Sequence, residues 1–137
     1  MSSGDGPKVI EYPGFKRELK KLLKKYPTLR KDLETFKKAV ILAHGNSEMK
    51  PESMGFFPVA GLGTVAEGIF IAKKLACKTL KGSGSRSGIR VVYRISEDCL
   101  HLMYIELFHK KEKPLPDPDR IQSILKVRLL PEEIDPE

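Results

Sequence analysis

The chain has 137 residues, the usual length of one domain with a single modest core. Hydrophobic residues make up 40% of it and charged residues 31%, a balance typical of soluble globular proteins rather than disordered ones. Its apolar runs fall short of the ~20 residues of a membrane span, and its first residues lack the apolar stretch of a signal peptide. These properties predict a cytoplasmic protein that does not associate with membranes.

The first predicted elements are a short extended segment at Lys8–Tyr12 and two helices. Tyr26-Pro27 predicts the end of the first helix, Thr28 the N-cap of the second and Gly45 its end. We therefore expect an antiparallel helical pair joined by a tight turn. The apolar residues at helical spacing are Phe15, Leu19, Leu22, Leu23 and Tyr26 in the first helix and Leu29, Leu33, Phe36 and Val40 in the second.

The middle of the chain is predicted to hold the strands. Residues 46–67 are typical of a loop-rich connection, with a short extended piece at Phe56–Ala60 as an option. Three further strands are predicted at Gly68–Lys78, Gly88–Ser96 and Cys99–Phe108, where β-branched and aromatic residues are frequent. Consecutive strands with short turns form an antiparallel meander.

The C-terminal part is predicted to hold a loop and one short helix. Lys110–Pro118 is polar and rich in proline, and Asp117-Pro118 has the pattern of an N-cap followed by proline at the first helical position. The helix would run to about Arg128. The element order predicts an α+β fold with a sheet of about four strands, covered by helices on one face and open for binding on the other.

Positive charge is concentrated in the body of the chain. The formal net charge is +7, but residues 131–137 hold four acids and no base. Residues 1–130 therefore carry 25 bases against 14 acids, a net charge of +11, which favours a polyanionic partner. We expect residues 1–7 to be disordered, residues 8–130 to form one domain and residues 131–137 to form an acidic tail.

The segment Gly68–Ser96 carries seven basic residues and no acid. Because these bases lie on two predicted strands around a Gly/Ser loop, they are held in one geometry, and RNA or DNA is the first candidate partner. The bases are Lys73, Lys74, Lys78, Lys81, Arg86, Arg90 and Arg94.

Strand alternation assigns these bases to faces of the predicted sheet. If the helices cover the apolar face, then Arg90, Arg94, Lys74 and Lys78 line the open one. A half-buried Arg90 needs an anionic partner, either a substrate phosphate or a carboxylate such as Glu106. The residues that share a face with the two lysines by alternation are Phe70, Ala72 and Ala76.

Cysteines and histidines predict little chemistry on their own. Cys77 and Cys99 are too few for a disulfide framework or a metal site, and we expect buried thiols. His44 and His101 are interpreted as a helix-end residue and a strand residue without a functional role. The sequence predicts no metal, no cofactor and no small-molecule ligand.

The run Arg86–Tyr93 is distinctive, and four further segments accompany it. Together they cover most of residues 8–128, and they resemble the RelE/ParE superfamily of bacterial toxins from toxin–antitoxin pairs, in its RelE/HigB-like branch. The resemblance implies a small twisted antiparallel sheet packed on an N-terminal helical pair, in agreement with the predicted elements. The accompanying segments are Phe15–Leu22, Tyr26–Leu33, Lys74–Lys78 and Phe108–Lys113.

This resemblance also implies an activity. Many family members cut mRNA in the ribosomal decoding site without a metal, by attack of the ribose 2′-OH that leaves a cyclic phosphate and a free 5′-OH. The reaction needs a base, an acid and cations that stabilise the phosphorane, and an arginine fork suits the last task. The implied protein is an endoribonuclease, an mRNA interferase that inhibits translation.

Site residues follow from the resemblance position by position. Arg90 matches the central strand arginine and is the first candidate for a phosphate clamp, and Lys74 matches a lysine of the preceding strand. Lys110 or Lys111 matches the basic residue at the end of the last strand, and His109 is the candidate acid or base. Candidates for contacts with the RNA backbone are Lys78, Lys81, Arg86 and Arg94.

The chain departs from the family pattern at two positions. No tyrosine follows Tyr104, although family members often place one soon after the last strand, and Ala72 stands where a second lysine is expected. Two alternatives therefore accompany the nuclease: a ParE-like inhibitor of DNA gyrase, and a non-catalytic RNA-binding protein. The partners implied by the family are a cognate antitoxin, mRNA and the ribosome, and the antitoxin would lay an acidic or amphipathic segment over the basic surface.

Overall fold

The computed structural model describes residues 7–59, 68–73, 75–77 and 87–127. Within them, three α-helices and a five-stranded mixed sheet form the α+β architecture expected from the sequence. The elements are β1 (Lys8–Glu11), α1 (Pro13–Leu23), α2 (Leu29–Gly45), a 3-10 turn (Pro51–Met54), β2 (Phe56–Pro58), β3 (Ile69–Ala72), β4 (Ile89–Ile95), β5 (His101–His109) and α3 (Pro118–Val127). Residues 1–6 and the predicted acidic tail at 131–137 lie outside the described residues.

The strands lie in the order β1-β5-β4-β3-β2; β3 to β5 form the expected antiparallel meander, and β2 extends it with one more antiparallel strand. The sheet differs from the expected one in two details. The segment Phe56–Pro58 adds a fifth strand, and β1 pairs with β5 in parallel. Residues 12–100 separate β1 from β5, so no turn sets their relative direction and the sequence pattern does not reveal it.

The helices lie close to their predicted positions. Thr28 occupies the N-cap position of α2, and its hydroxyl donates to Asp32 Oδ2 at 2.9 Å. Asp117 caps α3 as expected, because its Oδ1 accepts the backbone N–H groups of Asp119 at 3.0 Å and Arg120 at 3.3 Å. No helix in the described ranges combines the length and the apolar character needed to cross a membrane.

The first sheet face is covered by α1 and α2. Phe36 contacts Tyr93 and Tyr104 in this layer, with ring centroids 5.6 Å and 6.2 Å apart. The alternation predicted for β4 is confirmed, since all four of its odd-numbered residues are buried against this helical layer. These residues are Ile89, Val91, Tyr93 and Ile95.

The second sheet face is not open along its whole length, which corrects the expectation of a free binding face. It carries its own apolar cluster, in which Ile121 and Ile124 of α3 join Ile105 and Phe108 of β5. The reason lies in β5, whose residues 102–108 are all buried. A strand that is apolar on both sides needs cover on both faces.

A β-bulge interrupts β5 opposite the Val92–Tyr93 bond. Val92 pairs with Glu106 and Tyr93 pairs with Tyr104, so Ile105 is the extra residue. The bulge places Ile105 on the same face as Glu106, because both then lie on the side of Val92. Glu106 itself lies on the second sheet face by ordinary alternation from Phe108, the partner of Arg90.

Two side chains, Glu18 and Arg120, form hydrogen bonds with the backbone of β5 at the outer edge that lies beyond its pairing with the short β1. Leu107 donates its backbone N–H to Glu18 Oε1 at 3.0 Å, and Arg120 Nη1 donates to the carbonyl oxygen of Ile105 at 2.9 Å. Glu18 and Arg120 are themselves joined by two hydrogen bonds of 3.0 and 2.9 Å. Burial alone would lower the pKa of Arg120, but its bonds to Glu18 raise it. This bidentate pair satisfies the backbone of a strand edge that has no strand beside it.

Candidate anion-binding site

The sequence-predicted site residues fall into two groups. Lys74, Lys78, Lys81 and Arg86 lie outside the described residues, so the structure does not place them. Arg90 and Arg94 lie on β4, and His109 ends β5. Lys110 and Lys111 follow it as exposed residues.

The face assigned to the bases of the predicted Gly68–Lys78 strand needs a correction. Strand β3 ends at Ala72, so strand alternation does not extend to position 74. Phe70 pairs with Tyr93 and Ala72 with Val91, which places both on the helix-covered face. The shared face with Arg90 inferred for the two lysines therefore has no support from β3.

The start of β4 is fixed by Ser87 and Gly88. The buried hydroxyl of Ser87 donates to the carbonyl oxygen of Leu75 at 2.6 Å and accepts the N–H of Ile89 at 3.1 Å. Gly88 has φ +83°, and a Cβ at this position would lie 2.7 Å from the His109 ring. The chain therefore enters β4 in one conformation, which fixes the position of Arg90 two residues later.

Arg90 is a half-buried cation on the second face of the sheet. Its Nε atom is buried and has no hydrogen-bond partner among the described residues. The sequence offered Glu106 as one possible partner of this guanidinium, but Glu106 forms its ion pair with Lys113. Directly across the ladder from Arg90 lies Phe108.

Glu106 and Lys113 form an ion pair beside Arg90, in which the carboxylate is buried and the lysine is partly exposed. The Glu106 side chain has no exposed surface, and its Oε1 accepts the backbone N–H of Asp117 at 2.9 Å. The Lys113 ammonium also lies over the ring of Phe108, 5.1 Å from its centroid. The loop after β5 is thus attached to the second sheet face.

His109 lies on the opposite side of the sheet from Arg90. It pairs with Ile89 while Arg90 pairs with Phe108, and successive side chains of a strand alternate between faces. Burial lowers the pKa of His109, a hydrogen bond to the backbone of Ser87 raises it, and the charges of Lys111 and Lys25 lower it further, so that it falls below the ordinary value.

The His109 ring binds the turn that follows β5. Nδ1 accepts the backbone N–H of Lys111 at 3.1 Å, so the neutral ring carries its proton on Nε2. The ring also lies against the start of β4, since a Cβ at Gly88 would be 2.7 Å from Nε2.

The helix-covered side of the sheet holds Tyr93, Tyr104 and His44. A 2.8 Å hydrogen bond joins His44 Nε2 to the hydroxyl of Tyr93, and the Tyr104 hydroxyl donates to the carbonyl oxygen of Leu33 at 3.5 Å. Burial raises the pKa of Tyr93 and of Tyr104 and lowers that of His44. These groups stabilise the first core and lie away from Arg90.

Lys113 is the residue that sequence reasoning missed. It stands in the run Lys110–Lys113, where only the first two lysines were singled out. The signal that selects it is the turn after β5, in which Lys113 donates its backbone N–H back to the carbonyl oxygen of His109 at 3.4 Å. The arrangement as a whole can bind an anion on a face that is apolar around the two cations.

Comparisons with known proteins do not extend this description. No protein-family model matches the chain, and searches of curated proteins and of solved structures find no similar protein. The similarity to RelE-like toxins therefore rests on the sequence segments quoted above.

Proposed function

We propose that this protein is the toxin of a toxin–antitoxin pair and acts in the cytoplasm as a metal-independent endoribonuclease on ribosome-bound mRNA. The observation that carries the proposal is Arg90, a half-buried cation on a central strand whose Nε has no hydrogen-bond partner among the described residues. A cation in such a place favours an anionic ligand, because none of the described residues satisfies its Nε.

Each candidate residue has a task in this reaction. The Arg90 fork would hold two oxygens of the scissile phosphate while the 2′-OH attacks, and Lys74 with Lys110 or Lys111 would contribute further positive charge. The proton must leave the 2′-OH and another must reach the departing 5′-oxygen. His109 would serve there only after releasing the N–H of Lys111 from its Nδ1.

One observation favours a second function, a non-catalytic RNA-binding protein. His109 and Arg90 lie on opposite faces of the sheet, and Nδ1 of His109 accepts the backbone N–H of Lys111. The same cations would then bind RNA phosphates without proton transfer. Binding without cleavage is the result that separates this function from the nuclease.

An acidic antitoxin segment is part of the proposal. Opposite charge steers association and aligns partners, so a basic toxin surface favours an acidic partner. The first helix supports such a partner, since its four basic residues and the two of the following turn are all exposed. They are Lys16, Arg17, Lys20, Lys21, Lys24 and Lys25.

Cleavage of mRNA in cells tests the nuclease. Wild-type protein is expected to produce new mRNA 5′ ends by primer extension, and Arg90→Ala to reduce them about 100-fold or more, as loss of a preorganised transition-state contact does. Arg30→Ala is the control: this exposed residue forms a 3.5 Å surface pair with Glu11, and we expect unchanged cleavage.

The other outcomes identify the alternatives. Equal cleavage by Arg90→Ala and wild type would reject the site. Gyrase-linked DNA breaks without RNA cleavage would identify a ParE-like gyrase inhibitor. Added divalent metal is expected to leave the cleavage of ribosome-bound mRNA by purified protein unchanged.

A further inference from the structure

We propose that Arg90 and Lys113 form the two sides of a binding site for one phosphodiester group on the second sheet face. The proposal rests on the proposed function for its ligand, RNA. It adds a residue, Lys113, that the family resemblance does not assign, and it replaces Lys110 and Lys111 as the cation next to Arg90.

Arg90 supplies a cation that needs an anion. Its side chain is half-buried, and none of the ion pairs found in the described ranges includes it. A partly desolvated guanidinium is stabilised by a ligand that replaces the hydrogen bonds of lost water. The planar fork of arginine fits two oxygens of one phosphate.

Lys113 supplies the second cation and is held close to Arg90 by two contacts. One is the ion pair with Glu106, and the other is the ring face of Phe108, the cross-strand neighbour of Arg90. Directly opposite side chains in an antiparallel ladder have Cβ atoms about 4.5–5.5 Å apart. Since 36% of the Lys113 side chain is exposed, its ammonium can still donate to a ligand.

The charge of this group of side chains matches one backbone phosphate. Arg90 and Lys113 are positive and Glu106 is negative, so the formal sum is +1, the complement of a singly charged diester. Glu106 is fully buried and also bound to the N–H of Asp117, so it holds Lys113 without facing the ligand. An apolar surround of Phe108 and neighbouring side chains strengthens the attraction by lowering the local dielectric.

Salt dependence of RNA binding tests the site. The probe is a short fluorescein-labelled single strand with 2′-O-methyl riboses, which blocks attack by the 2′ oxygen. Each phosphate contact contributes about 0.7 to the slope of log affinity against log salt for a single strand. Lys113→Gln is expected to weaken binding and reduce the slope by about 0.7, and Lys113→Arg to restore both.

The matched control is Lys38→Gln. It makes the same change of charge at an exposed position of α2, on the other side of the sheet. We expect its slope to equal that of wild type. If Lys38→Gln lowered the slope as much as Lys113→Gln, the effect would be one of total charge and the proposed site would be rejected.

A second variant guards against loss of folding. Lys113→Gln leaves the buried Glu106 without its cation, which destabilises the fold. The double variant Glu106→Gln with Lys113→Gln removes both charges and keeps the net charge of the chain. The site then keeps its formal sum of +1, so its slope is expected to stay near that of wild type, whereas loss of the Lys113 donor weakens binding. Affinity equal to that of wild type in this folded variant would overturn the proposal.

Sharing of one phosphate is tested by combining the two sides. If Arg90 and Lys113 hold the same group, the affinity lost in Arg90→Gln/Lys113→Gln falls short of the product of the single losses. Fully multiplicative losses would assign the two cations to separate phosphates and overturn the single site.

The outcome is separable from that of the proposed nuclease. Loss of slope in the variants, with no mRNA cleavage by wild type, would reject the nuclease and support the phosphate site. Normal cleavage with unchanged slopes would reject the phosphate site alone.

Discussion

Cys99 is the one non-glycine residue among those described that has a positive φ, at 61°. It follows a turn in which Asp98 Oδ1 accepts from the hydroxyl of Ser96 at 2.6 Å and from the N–H of Leu100 at 3.0 Å. The left-handed conformation costs a residue with a Cβ about 1–2 kcal/mol. The turn therefore stores strain at Cys99 that a glycine would relieve.

Replacing Cys99 by glycine is expected to raise the free energy of unfolding by about 0.5–1 kcal/mol, because the extra chain entropy of glycine offsets part of the relief. Urea denaturation measures the change. Cys99→Ala is the control, since alanine keeps the strained Cβ while removing the thiol. Equal stability of the alanine and glycine variants would show that the backbone is not strained here.

At the scale of single residues, the sequence predicted the buried side of β4 and the cap at Asp117, because both follow from local spacing. It did not predict the partner of Glu106. That partner depends on the loop after β5, which returns Lys113 to the carboxylate. This return has no short sequence pattern.

At the scale of elements, the edge of β5 depends on α1 and α3 as much as on its own strand pairing. Glu18 and Arg120 bond to each other and to the backbone of Leu107 and Ile105. The pair thereby connects two helices that are far apart in sequence to one strand. Its loss would leave backbone groups and a guanidinium without partners.

We expect Glu18→Ala to lower the free energy of unfolding by about 2–3 kcal/mol, since it removes a charge-assisted network that is partly buried. Chemical denaturation of the variant measures it. Glu34→Ala is the matched control, because the Glu34 side chain is 68% exposed and its pair with Lys37 contributes less than about 1 kcal/mol. Equal losses in the two variants would contradict the role given to this pair.

Helix periodicity predicted α1, α2 and α3 well, whereas the strands were harder. The strand predicted to begin at Gly68 ends at Ala72. The sequence did not predict this end, because apolar and β-branched content does not mark where strand pairing stops. The sequence also did not predict which sheet face α3 covers, because a short amphipathic helix fits either face of a sheet. Burial of both sides of β5 decides it.

At the scale of the whole molecule, the sheet separates two environments. The helix side holds the aromatic core and two histidines whose pKa values are lowered. Burial lowers the pKa of His44 more than the charge of Glu52 raises it, and burial is also the main cause for His109. The second face holds the cations. Protonation of the two histidines is therefore expected to change stability on the helix side, whereas anion binding is proposed on the second face.

Stability is expected to fall with acidification through the histidine range. A histidine whose pKa is lowered in the folded state contributes stability above its unfolded value of about 6.5, and this is lost as the pH falls through the folded pKa. The variant His44→Gln/His109→Gln should weaken the decline between roughly pH 6.5 and 5, measured by urea denaturation. An undiminished decline in that variant would assign the effect to other groups.

The parallel pairing of β1 with β5 bears on the order in which the chain folds. Lys8–Glu11 must find His101–Tyr104, so this contact closes a loop over residues 12–100. The entropy of loop closure rises with loop length, and contacts of high sequence separation slow folding. The helical pair and the β3-β4-β5 meander are expected to assemble first and β1 to dock last. Until then the backbone of β5 at residues 101–104 lacks its outer neighbour and can pair with another chain, so aggregation competes with folding at this step.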